Sequence, residues 1–332
     1  MKTGAKNKKS MLNMGVDIGG TKIDLGIVSS SGEIINMKRI VTGSKNGQKY
    51  ILDNIINNVY SILEIANVSP KEINSIGFGI PGTIDSKRGM VEFAPNLKWK
   101  NFNFVSPILK ELPFDIFLGQ DTKAAVLGEY YYGAGKGCKN LVCVTIGTGI
   151  GGGIIINGKI YFGSYGTAGE IGHIIVGKNN VVCECGQTGC LETYASGTYI
   201  AAKARDIILN DKHSFGTIED FKKDSLSAIE IFLLAKKGNF KAIEIVNEVV
   251  EYLGIGLVNI FNILCPEKII LSGGLSNEEE LLIKPLKNFV KNKVYSLISD
   301  KIKIEKAKLG EFAPVVGASL FYKEKHFKYE GK

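Results

Sequence analysis

The chain is 332 residues long, 45% hydrophobic and 22% charged, a soluble globular composition with enough apolar material for two domains. Its net charge of +8 is not a nucleic-acid footprint: four of the first ten residues are lysines with no acid among them, and only Arg39, Arg88 and Arg205 carry the guanidinium that forks onto phosphates and guanine edges. Residues 1–9 lack the apolar core of a secretory leader, and the most apolar helical stretch, 252–265, is too short to span a bilayer, so a cytoplasmic protein without a membrane partner is expected.

In chain order, three strands are predicted first, at 12–16, 22–28 and 33–41, separated by Gly19-Gly20-Thr21 and Ser29-Ser30-Ser31-Gly32. An amphipathic helix follows, with Ile51, Ile55, Val59, Leu63 and Ala66 at helical spacing. A short strand ends in Gly79-Ile80-Pro81-Gly82, and the apolar run Ile116-Phe117-Leu118 leads into Gly119-Gln120-Asp121. The opening pattern then restarts: a strand at 141–146, the turn Gly147-Thr148-Gly149, a strand at 150–156, the hairpin signal Asn157-Gly158 and a strand at 159–162. This repeat of strand, Gly/Thr turn, strand, turn, strand reads as an internal duplication, two related α/β domains with a ligand held in the cleft between them. Helices are predicted at 194–209, 226–237 and 240–265, the last stopped by Pro266. A strand at 268–271 runs into Ser272-Gly273-Gly274-Leu275, and a last helix is predicted at 314–325.

Three kinds of chemistry stand out. The first is phosphate binding. In Val16-Asp17-Ile18-Gly19-Gly20-Thr21-Lys22 the glycines let the backbone approach a ligand, so that N–H groups and the Thr21 hydroxyl can donate to phosphate oxygens. Lys22 adds charge, and Asp17 is placed to face a Mg²⁺ through water. The spacing is not that of a Walker A loop, and a turn leading into a strand is not a Rossmann fingerprint. Alone it is equally a plain hairpin turn; the turns at 147–149 and at Gly273-Gly274 favour the ligand reading. The second is a set of carboxylates. From spacing alone Asp121 reads as a helix N-cap, with general base as the alternative. Glu170 and Glu192 are either solvated acids or bidentate acceptors for vicinal hydroxyls. The third is a ligand set, His173, Cys183, Cys185 and Cys190: one imidazole and three thiolates suit a closed, structural zinc that would pin the Glu170 and Glu192 loops. Cys138, Cys143 and Cys265 read as small hydrophobes in a cytosolic chain.

Together these pieces resemble the ROK family of bacterial sugar kinases and repressors, over nearly the whole chain from Asp17 to about Tyr322. The matching motifs are Asp17-Ile18-Gly19-Gly20-Thr21-Lys22, Gly79-Ile80-Pro81-Gly82, Ala94-Pro95-Asn96-Leu97, residues 145–153 and 169–173, the cysteine cluster through Glu192, and Ser272-Gly273-Gly274. The resemblance implies the duplicated actin-like ATPase (ribonuclease H-like) fold, with residues 1–122 and 312–332 in one domain and 123–311 in the other. It implies ATP phosphates held by Gly19, Gly20, Thr21, Lys22, Thr145, Gly147, Thr148 and Gly149, with Asp17 beside them and Gly273 and Gly274 near the adenosine. It assigns Asp121 to the catalytic base in preference to the cap, and Glu170, His173 and Glu192 to the sugar, with Gly82, Asn96 and Gln120 lining the same pocket. It matches His173, Cys183, Cys185 and Cys190 to the zinc site, and implies a dimer or tetramer. One departure stands out: the family usually reads Asn-Asp-Ala-Asn-Ala-Ala where this chain has Gln120-Asp121-Thr122-Lys123-Ala124-Ala125.

The activity so implied is phosphorylation of a hexose at its primary hydroxyl by Mg²⁺-ATP, glucose foremost. An N-acetylhexosamine or fructose is the alternative acceptor. A sugar-sensing transcriptional regulator and a catalytically silent sugar sensor are the alternatives of another class. Only sixteen residues precede Asp17, too few for a helix-turn-helix module.

Overall fold

The computed structural model describes residues 12–178, 180–210, 214–215 and 226–331; the lysine-rich start lies outside them. The chain divides into two compact units, residues 1–133 with 312–332 and residues 134–311.

In the first unit the strands β1 (Leu12–Ile18), β2 (Lys22–Val28) and β3 (Ile34–Val41) form an antiparallel meander. Helix α1 (Gly47–Ile65) lays Ile51, Ile55, Val59 and Leu63 of the predicted stripe into the core, together with Leu52 and Ile62, while Ala66 sits at its C-cap. Strand β4 (Ile73–Ile80) then pairs in parallel with β1. A small antiparallel sheet follows, β5 (Thr83–Asp85), β6 (Met90–Ala94) and β7 (Trp99–Asn103), which sequence reasoning did not separate from loop. Helix α2 (Val105–Glu111) leads to β8 (Asp115–Gln120), which pairs in parallel with β4 and runs directly into α3 (Asp121–Tyr132). The main sheet has the order β3-β2-β1-β4-β8.

The second unit repeats that plan. Strands β9 (Leu141–Ile146), β10 (Ile150–Ile156) and β11 (Lys159–Ile160) form the meander. After helices α4 (Glu192–Ala195), α5 (Gly197–Asn210), α6 (Ala228–Lys236) and α7 (Phe240–Leu264), strand β12 (Lys268–Ser272) pairs in parallel with β9. Helix α8 (Lys284–Lys293) precedes β13 (Ile304–Lys306), and the order is β11-β10-β9-β12-β13. The duplication expected from the strand repeat is therefore present in the order and direction of every strand. The Asn239 side chain caps α7 by accepting the Ala242 N–H at 3.0 Å, and α7 buries Ile245, Val249, Leu253, Leu257 and Phe261. Among the described residues no helix is long and apolar enough to cross a membrane.

Two predicted helices differ from the observed chain. The helix expected at 194–209 breaks at Ser196, which is extended with ψ 158°, giving α4 and α5. The break lets the Gly197 and Thr198 N–H groups donate to the Gly147 and Thr148 carbonyls at 2.8 and 3.1 Å, bonds that a continuous helix would forfeit. The helix expected at 314–325 is α9 (Ala313–Ala318) followed by single 3-10 turns at Phe321–Lys323 and Lys325–Phe327. There the Phe321 and Phe327 rings stack at 3.9 Å between centroids, which a straight helix would separate. Helix α9 lies backbone-to-backbone on its neighbours: a Cβ on Gly15 or Gly77 would collide with the carbonyl oxygens of Val315 or Ala318, and one on Gly317 with that of Ala124.

Candidate functional site

In the first unit the acidic residues gather at the carboxyl ends of the parallel strands β1, β4 and β8, where open α/β sheets place their ligands. Asp17 is next to last in β1, Gly79 sits opposite it on β4, and Gly119 opposite Gly79 on β8. A Cβ on Gly79 would lie 3.4 Å from the Asp121 Cα and 3.8 Å from Asp17 Oδ1, so Gly79 borders both acids. Burial, then the charges of Asp121 and Asp24, push the Asp17 carboxyl up to about 8, against a smaller opposing pull from Lys22. Burial and neighbouring negative charge both disfavour the ionised form of a carboxyl. Asp121 is the first residue of α3 and not its cap; its Oδ1 accepts the Thr122 N–H at 2.7 Å. Gln120 occupies the cap position and does not cap with its side chain; its Oε1 accepts from Lys123 Nζ at 2.7 Å.

The turn after β1 is tightly closed, with the Gly19 N–H donating to the Lys22 carbonyl at 2.9 Å and the Thr42 hydroxyl to the Gly19 carbonyl at 2.6 Å. Thr21 and Lys22 are exposed. Lys22 Nζ rests 3.4 Å from Asp24, itself buried and held by Arg39 through bonds of 2.6 and 3.0 Å. Asn96 lies in the 3-10 turn Pro95–Leu97, pressed on the glycine turn after β1: a Cβ on Gly20 would meet the Asn96 carbonyl oxygen at 3.0 Å. Gly82 has φ +103°, a left-handed conformation that side chains disfavour, at the entrance to the small sheet.

In the second unit the turn 147–149 joins β9 to β10, and a carboxylate holds it. Glu192 Oε2 accepts the Ile150 N–H at 2.7 Å, and a Cβ on Gly149 would strike that same oxygen. The other Glu192 oxygen lies 3.9 Å from Cys183 Sγ. Glu192 thus ties the turn to the cysteine cluster, a link that spacing could not reveal. Glu170 precedes the 3-10 turn Ile171–His173, whose Gly172 backs onto the Ile150 carbonyl of β10.

His173 Nδ1 is 3.5 Å from Cys183 Sγ, Cys185 Sγ is 3.6 Å from Cys190 Sγ, and the four ligand atoms all fall within 4.8 Å of one another. Tetrahedral ligands at zinc distances stand about 3.4–3.8 Å apart, so the donor set fits that ion in type and in spacing. The three cysteines form no disulfide. Burial, then hydrogen bonds from the neighbouring thiols, pushes Cys190 up to about 12, and burial raises Cys183. Burial raises Cys185 too, but the Gln187 N–H and the other thiols outweigh it and lower its value. Without a cation the crowded thiols cannot all ionise; a bound divalent ion removes that penalty.

A cavity of about 410 Å³ opens beside the turn. Gly147, Thr148, Gly274 and Leu275 line it together with Gly197, Thr198, Ala201, Ser227, Ala228 and Ile229. The first three are among the residues singled out from sequence; the last six were missed. Their signals were the small-residue break Ser196-Gly197 and the capping box, in which the Ser227 hydroxyl accepts the Glu230 N–H and Glu230 accepts the Ser227 N–H. The volume and the small, apolar lining suit a planar ring system adjoining a phosphate turn. Gly273, with φ +87°, is packed on the Ile146 carbonyl behind the cavity.

The chain is similar to a glucokinase of Halalkalibacterium halodurans, 35% identical over 318 residues and 96% of each chain. It is similar in structure to a ROK family glucokinase from Streptomyces griseus crystallised with glucose and AMPPNP, with a TM-score of 0.79, 31% identity, and 93% and 98% of the two chains covered. A xylose repressor of Caldicellulosiruptor bescii is 29% identical over 92% of this chain and 76% of its own. Residues 13–325, a span that includes every candidate site residue named above, match the ROK family. The duplicated strand order, the paired glycine turns and the His-Cys cluster accordingly have one common source, and the chain belongs to the ROK family.

Proposed function

We propose that this protein is an ATP-dependent hexose kinase with glucose as its leading acceptor. The observation that carries the reading is Asp121: an acid at the start of α3, beside a second acid, Asp17, at the carboxyl ends of three parallel strands. Asp121 accepts the proton of the sugar's primary hydroxyl. The hydroxyl oxygen forms the new bond to the γ-phosphorus as the bond to the bridging oxygen of ADP breaks. Gly19, Gly20, Thr21 and Lys22, with Thr145, Gly147, Thr148 and Gly149, offer the phosphates N–H and hydroxyl donors, while the cavity at Gly197, Ala228 and Gly274 takes the nucleoside. Mg²⁺ supplies charge neutralisation on the phosphates, and Asp17 is the acid best placed to face it through water. Glu170, Glu192 and the second nitrogen of His173 accept and donate to sugar hydroxyls, and Gly82, Asn96 and Gln120 are assigned to the same ligand. His173, Cys183, Cys185 and Cys190 hold a structural zinc that fixes Glu170, His173 and Glu192 in place.

The 29% identity to a xylose repressor supports a second reading, sugar sensing without turnover. An ADP-release assay over a panel of hexoses and N-acetylhexosamines separates the two. The kinase reading expects sugar-dependent ADP, most with glucose. Sugar-induced thermal stabilisation with no ADP from any sugar would replace it with the sensor.

A further inference from the structure

Lys123 stands where the family pattern has a second asparagine, and it is buried, with 4% of its surface exposed. A lysine in that position is costly unless its ammonium is well bonded. Its Nζ donates to Gln120 Oε1 at 2.7 Å, across the first turn of α3. An ammonium has only donors, so the end of the Gln120 amide that faces it must be the oxygen. The amide is planar, and its NH₂ group therefore points away from Lys123. Gln120 is extended, with φ −76° and ψ 140°, does not cap the helix, and is followed directly by Asp121. An unheld glutamine can rotate to offer either end to a ligand; this one cannot without breaking a charge-assisted bond. The extra methylene of Gln120, relative to the usual asparagine, is the length that lets its oxygen reach back to Lys123.

We propose that Lys123 is a positioning residue that fixes Gln120 as a hydrogen-bond donor toward the sugar. The inference rests on the sugar site of the kinase reading. It narrows the substrate class: the group meeting Gln120 is an oxygen acceptor, a hydroxyl or an N-acetyl carbonyl, and not an ammonium. A hydroxyl facing this donor is free to give its own proton to one of the carboxylates, which is how a polar pocket fixes the identity of each position on a sugar ring.

The test is calorimetric binding of glucose, its 2-, 3- and 4-deoxy analogues, glucosamine and N-acetylglucosamine to the wild type, Lys123→Met, Lys123→Arg, Gln120→Ala, Gln120→Glu and the Gln120→Ala/Lys123→Met double variant. The wild type should lose affinity at one deoxy position. Lys123→Met should weaken the parent sugar by about 10-fold, one hydrogen bond's worth, and flatten the penalty at that position only. It should add nothing in the Gln120→Ala background, and Lys123→Arg should restore most of the loss. Gln120→Glu, which offers only acceptors, should weaken neutral sugars and favour glucosamine relative to them. Wild-type affinity and selectivity in Lys123→Met, or an equal loss in the Gln120→Ala background, would overturn the proposal. Should Lys123→Met fail to fold, Gln120→Glu decides: unchanged neutral-sugar binding overturns it. A wild type that binds sugar but releases no ADP removes the kinase reading and leaves this one open to the same test; a wild type that binds no sugar removes both.

Discussion

Removing the Glu192 side chain should damage ATP use as much as sugar use, although the family pattern assigns it to the sugar. The Ile150 N–H directly follows the glycine turn 147–149, which the kinase reading assigns to the phosphates, and donates to Glu192 Oε2 at 2.7 Å, a short bond with a carboxylate. Hydrogen bonds to charged groups contribute about 1.5–3 kcal/mol, and the orphaned N–H adds its own desolvation cost. If that energy holds the turn in its closed shape, Glu192→Ala lowers kcat/KM for ATP by about 10- to 150-fold at saturating sugar. Glu192→Gln keeps an acceptor in the same place and loses only the charge, so about half that energy and a drop of about 3- to 12-fold are expected. The assay is initial-rate ADP release at varied ATP with sugar saturating, and then the reverse. A Glu192→Ala protein whose ATP dependence is that of the wild type, with only its sugar KM raised, would refute the idea that this carboxylate holds the turn.

Purified, reduced protein should contain one zinc per chain; Cys190→Ser should lower both the zinc content and Tm, and a protein fully stable without any bound metal would remove the zinc reading. In the ligand-free protein, Asp17 keeps its proton up to about pH 8 in the folded state but loses it near 3.8 when unfolded. The unfolded state therefore binds fewer protons across that window, so stability falls as pH rises from about 4 to 8, by at most about 1.4 kcal/mol per pH unit from this group. Asp17→Asn should flatten the decline of Tm between pH 5 and 8, and an identical decline in the variant would contradict the raised value. Gly317→Ala forces a methyl group onto the Ala124 carbonyl oxygen, a backbone clash that no rotamer relieves, and should cost about 3 kcal/mol or more. A Cβ on Gly274 meets nothing within 4 Å, yet Gly274 lines the cavity, so Gly274→Ala should leave Tm in place and raise the ATP KM.

Much of the fold was legible because each domain opens with the same local grammar. Strands of 7, 7 and 8 residues in one unit and of 6 and 7 in the other are punctuated by Gly, Ser and Asn-Gly turns, and the bounds predicted for β2, β9 and β10 match the observed ones. The ligand cluster was legible because cysteine and histidine are scarce and seldom adjacent by chance. What stayed hidden depends on contacts distant in sequence. Nothing near Ser196 announces that a helix must break there to give two N–H groups to a turn some 50 residues earlier. The 410 Å³ cavity draws on the turn after β9, on α5, on α6 and its cap, and on the turn after β12, so no single motif contains it. The burial of Lys123 is likewise invisible in a sequence, since lysine is read by default as a solvated side chain.

The central claim is tested most directly by one comparison: ADP released with glucose and Mg²⁺-ATP by the wild type and by Asp121→Ala, on samples of equal Tm. A general base contributes about 10²- to 10⁴-fold, and the account predicts a loss of that size in kcat with sugar binding largely retained. A variant that kept most of its sugar-dependent turnover would contradict it.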